Sequence, residues 1–127
     1  VINSFTIPQE LPALNEYVNE QRRNRFAGAK VKKQATYVCS MYAKAAMNRG
    51  LKVTGKIDIY VHWFVSSKRK DKDNIRFAIK FIQDGMMEAG LIDNDGWQQI
   101  GDYHDEFSVD KQNPRVEVEL RTHEEQK

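Results

Sequence analysis

The chain reads as an α+β domain in which a small mixed β-sheet is packed with two main helices. Three observations lead there. Residues 55–65 alternate Ile57, Ile59, Val61, Trp63 and Val65 with more polar neighbours, the period of a strand with one buried face. Residues 32–47 and 74–89 instead repeat apolar side chains every three or four positions, as amphipathic helices do. The elements follow one another as strand, helix, strand, helix, strand, strand, an order that gives an α+β domain with a small mixed sheet.

Each element has its own local warrant. Residues 4–7 form a short strand closed by Pro8 and Pro12, which break regular structure and leave a loop. Residues 15–25 are polar and rich in arginine, with Arg22, Arg23 and Arg25 clustered before a break expected at Gly28. The helix over 32–47 places Ala35, Val38, Cys39, Tyr42, Ala45 and Ala46 on one face, and Gly50 is a suitable stop. After the strand at 55–65 comes the helix over 74–89, with an apolar stripe of Ile75, Ala78, Ile79, Ile82 and Met86 and a C-terminal cap at Gly90. The connection is long enough for a crossover. Two last strands, 99–109 and 115–120, are joined by the turn residues 110–114, and 121–127 reads as a frayed tail.

At 127 residues the chain is expected to form one domain with one core. No apolar run approaches the roughly 18 residues of a membrane span. The opening Val1-Ile2-Asn3-Ser4 lacks the basic start and apolar stretch of a signal peptide. Cys39 is the single cysteine, which excludes an intrachain disulfide and a cysteine zinc site and fits a reducing cytoplasm. The net charge of +2 hides an asymmetry: residues 1–56 carry ten Lys and Arg against three Glu, and the remainder ten against fifteen acids. A basic half suggests a polyanionic partner, because Lys and Arg contacts to phosphate release counterions.

The chemistry concentrates in Lys68-Arg69-Lys70-Asp71-Lys72-Asp73-Asn74. Asp71 and Asp73 stand two positions apart, so in an extended segment their carboxylates leave on the same side, within reach of one divalent cation. Alternatively they are an N-cap and a first-turn acid of the helix that follows. Two acids among Lys68, Arg69, Lys70 and Lys72 favour Mg²⁺ held beside phosphates, the metal polarising phosphorus and activating water. A second acidic cluster, Asp93-Asn94-Asp95-Gly96, follows the helix. Alone it would be a turn; as a calcium loop it fails, with Leu91 at the first ligand position. Paired with Asp71 and Asp73, Asp95 becomes a ligand candidate.

On the intervening helix, Lys80 or Arg76 could neutralise developing transition-state charge, although a solvated lysine is the default. Arg22, Arg23, Arg25, Lys30, Lys32, Lys33, Lys68, Arg69, Lys70, Lys72 and Arg76 are the candidate DNA contacts. His62, His104 and His123 are scattered and take no ligand or base role, His62 sitting on the polar face of its strand. Trp97, Tyr103 and Phe107 fit core or sheet-face positions, although Trp97 beside the acidic turn could stack on a base. The alternative to a nuclease is a non-catalytic nucleic-acid-binding module with a structural acidic loop.

Taken together, Phe5-Thr6-Ile7-Pro8, Asp71-Lys72-Asp73-Asn74, the helix with Lys80 and Asp84, Ala89-Gly90-Leu91-Ile92, Asn94-Asp95 and Pro114-Arg115-Val116-Glu117-Val118 resemble the RusA family of phage and prophage Holliday-junction resolvases. The resemblance implies a RusA-like fold and a crossover junction endodeoxyribonuclease of DNA recombination and repair. It implies Asp71, Asp73 and Asp95 as ligands of Mg²⁺ or Mn²⁺, with a lysine on the helix between them. It also implies a homodimer acting on branched DNA. The chain departs from the pattern at two places. Lys80 matches the family lysine only through about one extra helical turn, and Asn94-Asp95 replaces a frequent Asp-Asp pair, with Asp93 as a stand-in.

Overall fold

The computed structural model describes residues 2–125. Along the chain run β1 (Ser4–Ile7), α1 (Leu14–Arg23), α2 (Arg25–Asn48), β2 (Ile57–Val65), α3 (Lys72–Arg76), α4 (Ile79–Glu88), β3 (Ile100–Val109) and β4 (Arg115–Thr122). The sheet has the order β1-β4-β2-β3. β4 pairs antiparallel with β1 and β2, whereas β2 and β3 are parallel and joined by the expected helical crossover. The mixed α+β class therefore stands. Among the described residues no helix is long and apolar enough to cross a membrane.

The alternation in β2 does what its period requires. Ile57, Ile59, Val61 and Trp63 are buried, as are Phe5 and Ile7 of β1 and Val116, Val118 and Leu120 of β4. They meet Ala35, Cys39, Ala43 and Ala46 of α2 and Phe81, Ile82 and Met86 of α4 in one apolar cluster. Both helices end as their glycines predict. Gly50 and Gly90 adopt φ of 114° and 81°, and Leu51 and Leu91 return their amides to the carbonyls of Ala46 and Met86 at 3.0 and 2.9 Å. Those two leucines are buried, giving the apolar contact that accompanies this cap. Cys39 lies inside the α2 face, where burial, and secondarily the Asp84 charge, push its thiol up to about 12. It is an inert packing residue.

Three boundaries differ from the sequence reading. The break expected at Gly28 is absent: α2 starts at Arg25, capped by Asn24, whose side chain accepts the Ala27 N–H at 2.8 Å. Gly28 serves contact instead, since a Cβ there would lie 2.6 Å from Gln21 Cγ where α1 and α2 fold back on each other. The helix expected over 74–89 divides at Phe77 and Ala78. Ala78, Lys80 and Phe81 donate to carbonyls three residues back at 3.3, 3.2 and 3.0 Å, so the turn is tightened. At this turn Phe77 stacks on Tyr17 of α1 with centroids 5.8 Å apart and meets Phe81 edge-on at 5.7 Å, fixing the junction against α1.

The tail is the third. Arg121 and Thr122 belong to β4, and His123 donates its amide to Lys56 O at 2.8 Å; Gln126 and Lys127 lie outside the described residues. His123 Nδ1 also sits 2.7 Å from Asp58 Oδ1, which accepts the Asp102 amide at 2.7 Å. Burial pushes the Asp58 carboxyl up, but the Asp102 N–H and His123 outweigh it and hold it below the ordinary carboxylate value. A depressed acid contributes stability that is complete above its unfolded value of about 4 and is lost as pH falls through the lower folded value. Urea melts from pH 6 down to pH 2 should therefore show the wild type losing an acid-sensitive increment that Asp58→Asn lacks. Parallel pH profiles for the two proteins would reject this.

Candidate active site

The site grows from the C-terminal end of β2. Beyond Val65 the chain is gripped from the N-terminal segment: Glu10 accepts the Ser66 amide at 2.7 Å and its hydroxyl at 3.2 Å, and Lys70 forms an ion pair with Glu16 of α1. This two-point clamp delivers Asp71 to the start of α3. Asp71 is the N-cap residue, extended at φ −70° and ψ 153°, yet its side chain makes no capping bond. Its carboxylate is exposed and has no hydrogen bond among the described residues. Asp73 lies in the first helical turn, also exposed, and among the described residues its side chain accepts only the neighbouring Asn74 amide at 3.0 Å. Because Asp73 is helical, the same-side argument for an extended pair does not apply. The two acids are related by a strand-to-helix turn.

Asp95 enters from the other end of α4. Its Oδ2 accepts from Gln83 Nε2 at 3.4 Å, and its amide donates to Asn94 Oδ1 at 2.9 Å. Gln83 is nearly buried on α4 and its carbonyl oxygen accepts the Tyr103 hydroxyl. The Arg76 guanidinium lies 5.9 Å from the Tyr103 ring centroid, and its Nε donates to Asp105 Oδ2 at 2.9 Å. The other oxygen of Asp105 accepts the indole N–H of Trp63 at 2.7 Å. A continuous line of contacts thus runs from the Asp95 turn across α4 and β3 to α3, where the acidic loop begins.

Sequence reasoning singles out neither Asp105 nor Gln83, and it reads Tyr103 only as a core or sheet-face residue. The signal for Asp105 was present: Tyr103, Asp105 and Phe107 alternate along β3, so an acid occupies the row that faces the helices. A Trp63 indole on the core face also needs an acceptor. Tyr103 is exposed and Phe107 half-buried, as sheet-face residues; Trp97, in contrast, is no core residue, being 91% exposed beside the acidic turn.

The cations divide by what already holds them. Lys70 is spent on Glu16, and Lys72 lies over the Phe107 ring at 5.5 Å. Lys68, Arg69 and Lys80 are exposed and have no ion pair among the described residues. Positions 76 and 80 do not share a face in the simple helical way, because the tightened turn lies between them; Arg76 is the one drawn into the acidic line. Arg22, Arg23 and Arg25 sit where α1 gives way to α2, Arg23 3.4 Å from Glu20 and Arg25 over Phe26 at 5.1 Å. Lys30, Lys32 and Lys33 are exposed on α2. Beside them a groove of about 620 Å³ is walled by Val31, Gln34 and Tyr37 of α2 and reaches Glu16 and Lys70.

The oxygens of Asp71, Asp73 and Asp95 do not form a group lying within 4.8 Å of one another. Among the described residues that grouping is met by Asp58, Asp102 and His123, at the N-terminal end of β2 and away from the acidic loop. There the Asp58 oxygen is already taken by His123 and the Asp102 amide. His62 likewise has partners, Ser108 Oγ at 2.7 Å and Glu106 at 3.4 Å.

A protein-family model described as endodeoxyribonuclease RusA matches residues 8–121. The chain belongs to the RusA family. The match opens just after β1 and runs into β4, so it takes in every candidate site residue from Arg22 to Asp95 as well as Asp105. Membership in the RusA family implies a nuclease of the Holliday-junction-resolving kind, acting on branched DNA. No curated protein matches the chain.

Proposed function

We propose that the chain is a Mg²⁺-dependent, structure-selective endonuclease, also served by Mn²⁺, that resolves four-way DNA junctions by phosphodiester hydrolysis in recombination and repair. The observation that carries this reading is Asp71: it occupies an N-cap position without making the cap bond, so its carboxylate is left unspent beside a second exposed acid. Carboxylate oxygens are the donors a hard cation takes, and Asp71, Asp73 and Asp95, which stand apart here, are the residues that would draw together to hold it. A bound Mg²⁺ supplies Lewis-acid stabilisation of the phosphoryl oxygens and lowers the pKa of water.

The remaining work falls to the chain itself. Lys68 and Arg69, exposed in the loop, meet the phosphates flanking the scissile bond, and Arg76 and Lys80 offset the charge that develops at phosphorus. Trp97, exposed next to Asp95, offers a face on which an unstacked base can lie. The protein acts as a homodimer, since two sites related by a two-fold axis suit two strands of opposite polarity at a junction. It works in the cytoplasm, where its one buried thiol stays reduced.

The deciding experiment is cleavage of synthetic four-way junctions with Mg²⁺, Mn²⁺ or chelator. Paired incisions that need the metal are expected; intact junctions, flaps and forks in both metals would remove the proposal. A second measurement locates the DNA. Converting Arg22, Arg23 and Arg25 together to Ala should weaken junction binding and flatten its salt dependence, each lost phosphate contact lowering the log–log slope by roughly 0.9 for duplex DNA. An unchanged slope would move the binding surface to Lys68–Lys72.

A further inference from the structure

Asp105 has a role that rests on the nuclease reading and goes past it. Its carboxylate sits on β3 with only 17% of the side chain exposed, and both oxygens are engaged: Oδ1 by the Trp63 indole at 2.7 Å and Oδ2 by Arg76 Nε at 2.9 Å. Trp63 itself is 2% exposed, so its indole is a rigid post fixed by the core. A carboxylate bonded to an immobile donor on one side aims its second oxygen, and that oxygen holds Arg76 by Nε alone. The terminal guanidinium nitrogens have no hydrogen-bond partner among the described residues, and the Arg76 side chain remains 38% exposed. Guanidinium binds phosphate through just such paired N–H groups.

The geometry points to Asp105 as a positioning residue that, braced by Trp63, presents the free edge of Arg76 to a phosphate of the DNA strand being cut. Arg76 closes α3, one turn from Asp73, so the aimed edge and the acidic loop belong to one rigid piece. The guanidinium also lies over the Tyr103 ring, 5.9 Å from its centroid. Asp105 is therefore distinct from the ligand aspartates: its oxygens are spent on donors, and its influence passes through Arg76.

A double-mutant cycle separates these possibilities. Asp105→Asn keeps an acceptor for Trp63 but drops the charge on Arg76. It is expected to slow single-turnover junction cleavage about ten- to a hundredfold, while junction affinity at saturating Mg²⁺ changes less than about threefold. Arg76→Ala should cost at least as much. In the Arg76→Ala background, Asp105→Asn should then add less than about twofold, because its route to the phosphate is already gone. Thermal melting of each variant guards against misfolding. Fully additive losses would overturn the assignment and make Asp105 an independent participant; a wild-type rate in Asp105→Asn would remove it from the reaction. If the wild type cuts no branched DNA, the nuclease reading and this inference fall together, whereas a cutting wild type with an additive cycle removes only the inference.

Discussion

Asp73→Asn is expected to abolish junction cleavage while leaving junction binding intact or tighter. The substitution is isosteric, and the one side-chain hydrogen bond Asp73 makes among the described residues, its Oδ1 with the Asn74 amide at 3.0 Å, is kept by the Asn carbonyl. The residue is exposed, so stability should shift by no more than about 0.5 kcal/mol. What changes is charge. A neutral amide is a poorer ligand for a hard dication than a carboxylate, and the loss of a negative group beside the DNA path removes repulsion toward phosphate. Cleavage and binding should therefore move in opposite directions, measured as single-turnover incision and as a gel-shift titration on the same junction. Equal losses in both would assign Asp73 to shaping α3 rather than to chemistry.

How far this was legible depends on the distance over which each feature is decided. The strand at 57–65 and the stops at Gly50 and Gly90 were readable because alternation and capping are settled within a few residues. The acidic loop was readable for the same reason, its composition being odd wherever it is placed. Gly28 was misread as a break because a glycine in a helix and a glycine ending one look alike locally, and what distinguishes them is Gln21 on the neighbouring helix. The division at Phe77 likewise needs Tyr17, sixty residues away in sequence, to give Phe77 a partner. The same holds for Arg76 and Lys80. Spacing could place both cations on the helix, but only the fold sets Asp105 under one of them. Asp71 shows the reverse: the sequence offers capping beside the favoured metal binding, and the contact that would have marked a cap is not made.

Replacing Gly85 should produce the largest loss of stability, although local propensity argues the other way. Gly85 lies inside α4, where Ala would be favoured by about 1 kcal/mol in an isolated helix. Against α2 there is no room. An added Cβ would stand 2.5 Å from Cys39 Cβ, 2.8 Å from the Ser40 amide nitrogen and 3.0 Å from the Cys39 carbonyl carbon. Two of these are backbone atoms that no rotamer change can clear, so the helices must separate. Forcing atoms into a packed core costs about 1–3 kcal/mol and grows with each further methyl. The contact term should exceed the propensity gain for Gly85→Ala by a modest margin and for Gly85→Val by a wide one, out of a total of roughly 5–15 kcal/mol. Urea melts should order the proteins wild type, Ala, Val from most to least stable. The effect also reaches the site, because Gln83, two residues before Gly85, holds Asp95 and Tyr103. Moving α4 off α2 should loosen that hold, so Gly85→Ala at a temperature where it is still folded is expected to need more Mg²⁺ for half-maximal cleavage. A Gly85→Ala protein more stable than wild type would show that α2 and α4 do not approach this closely.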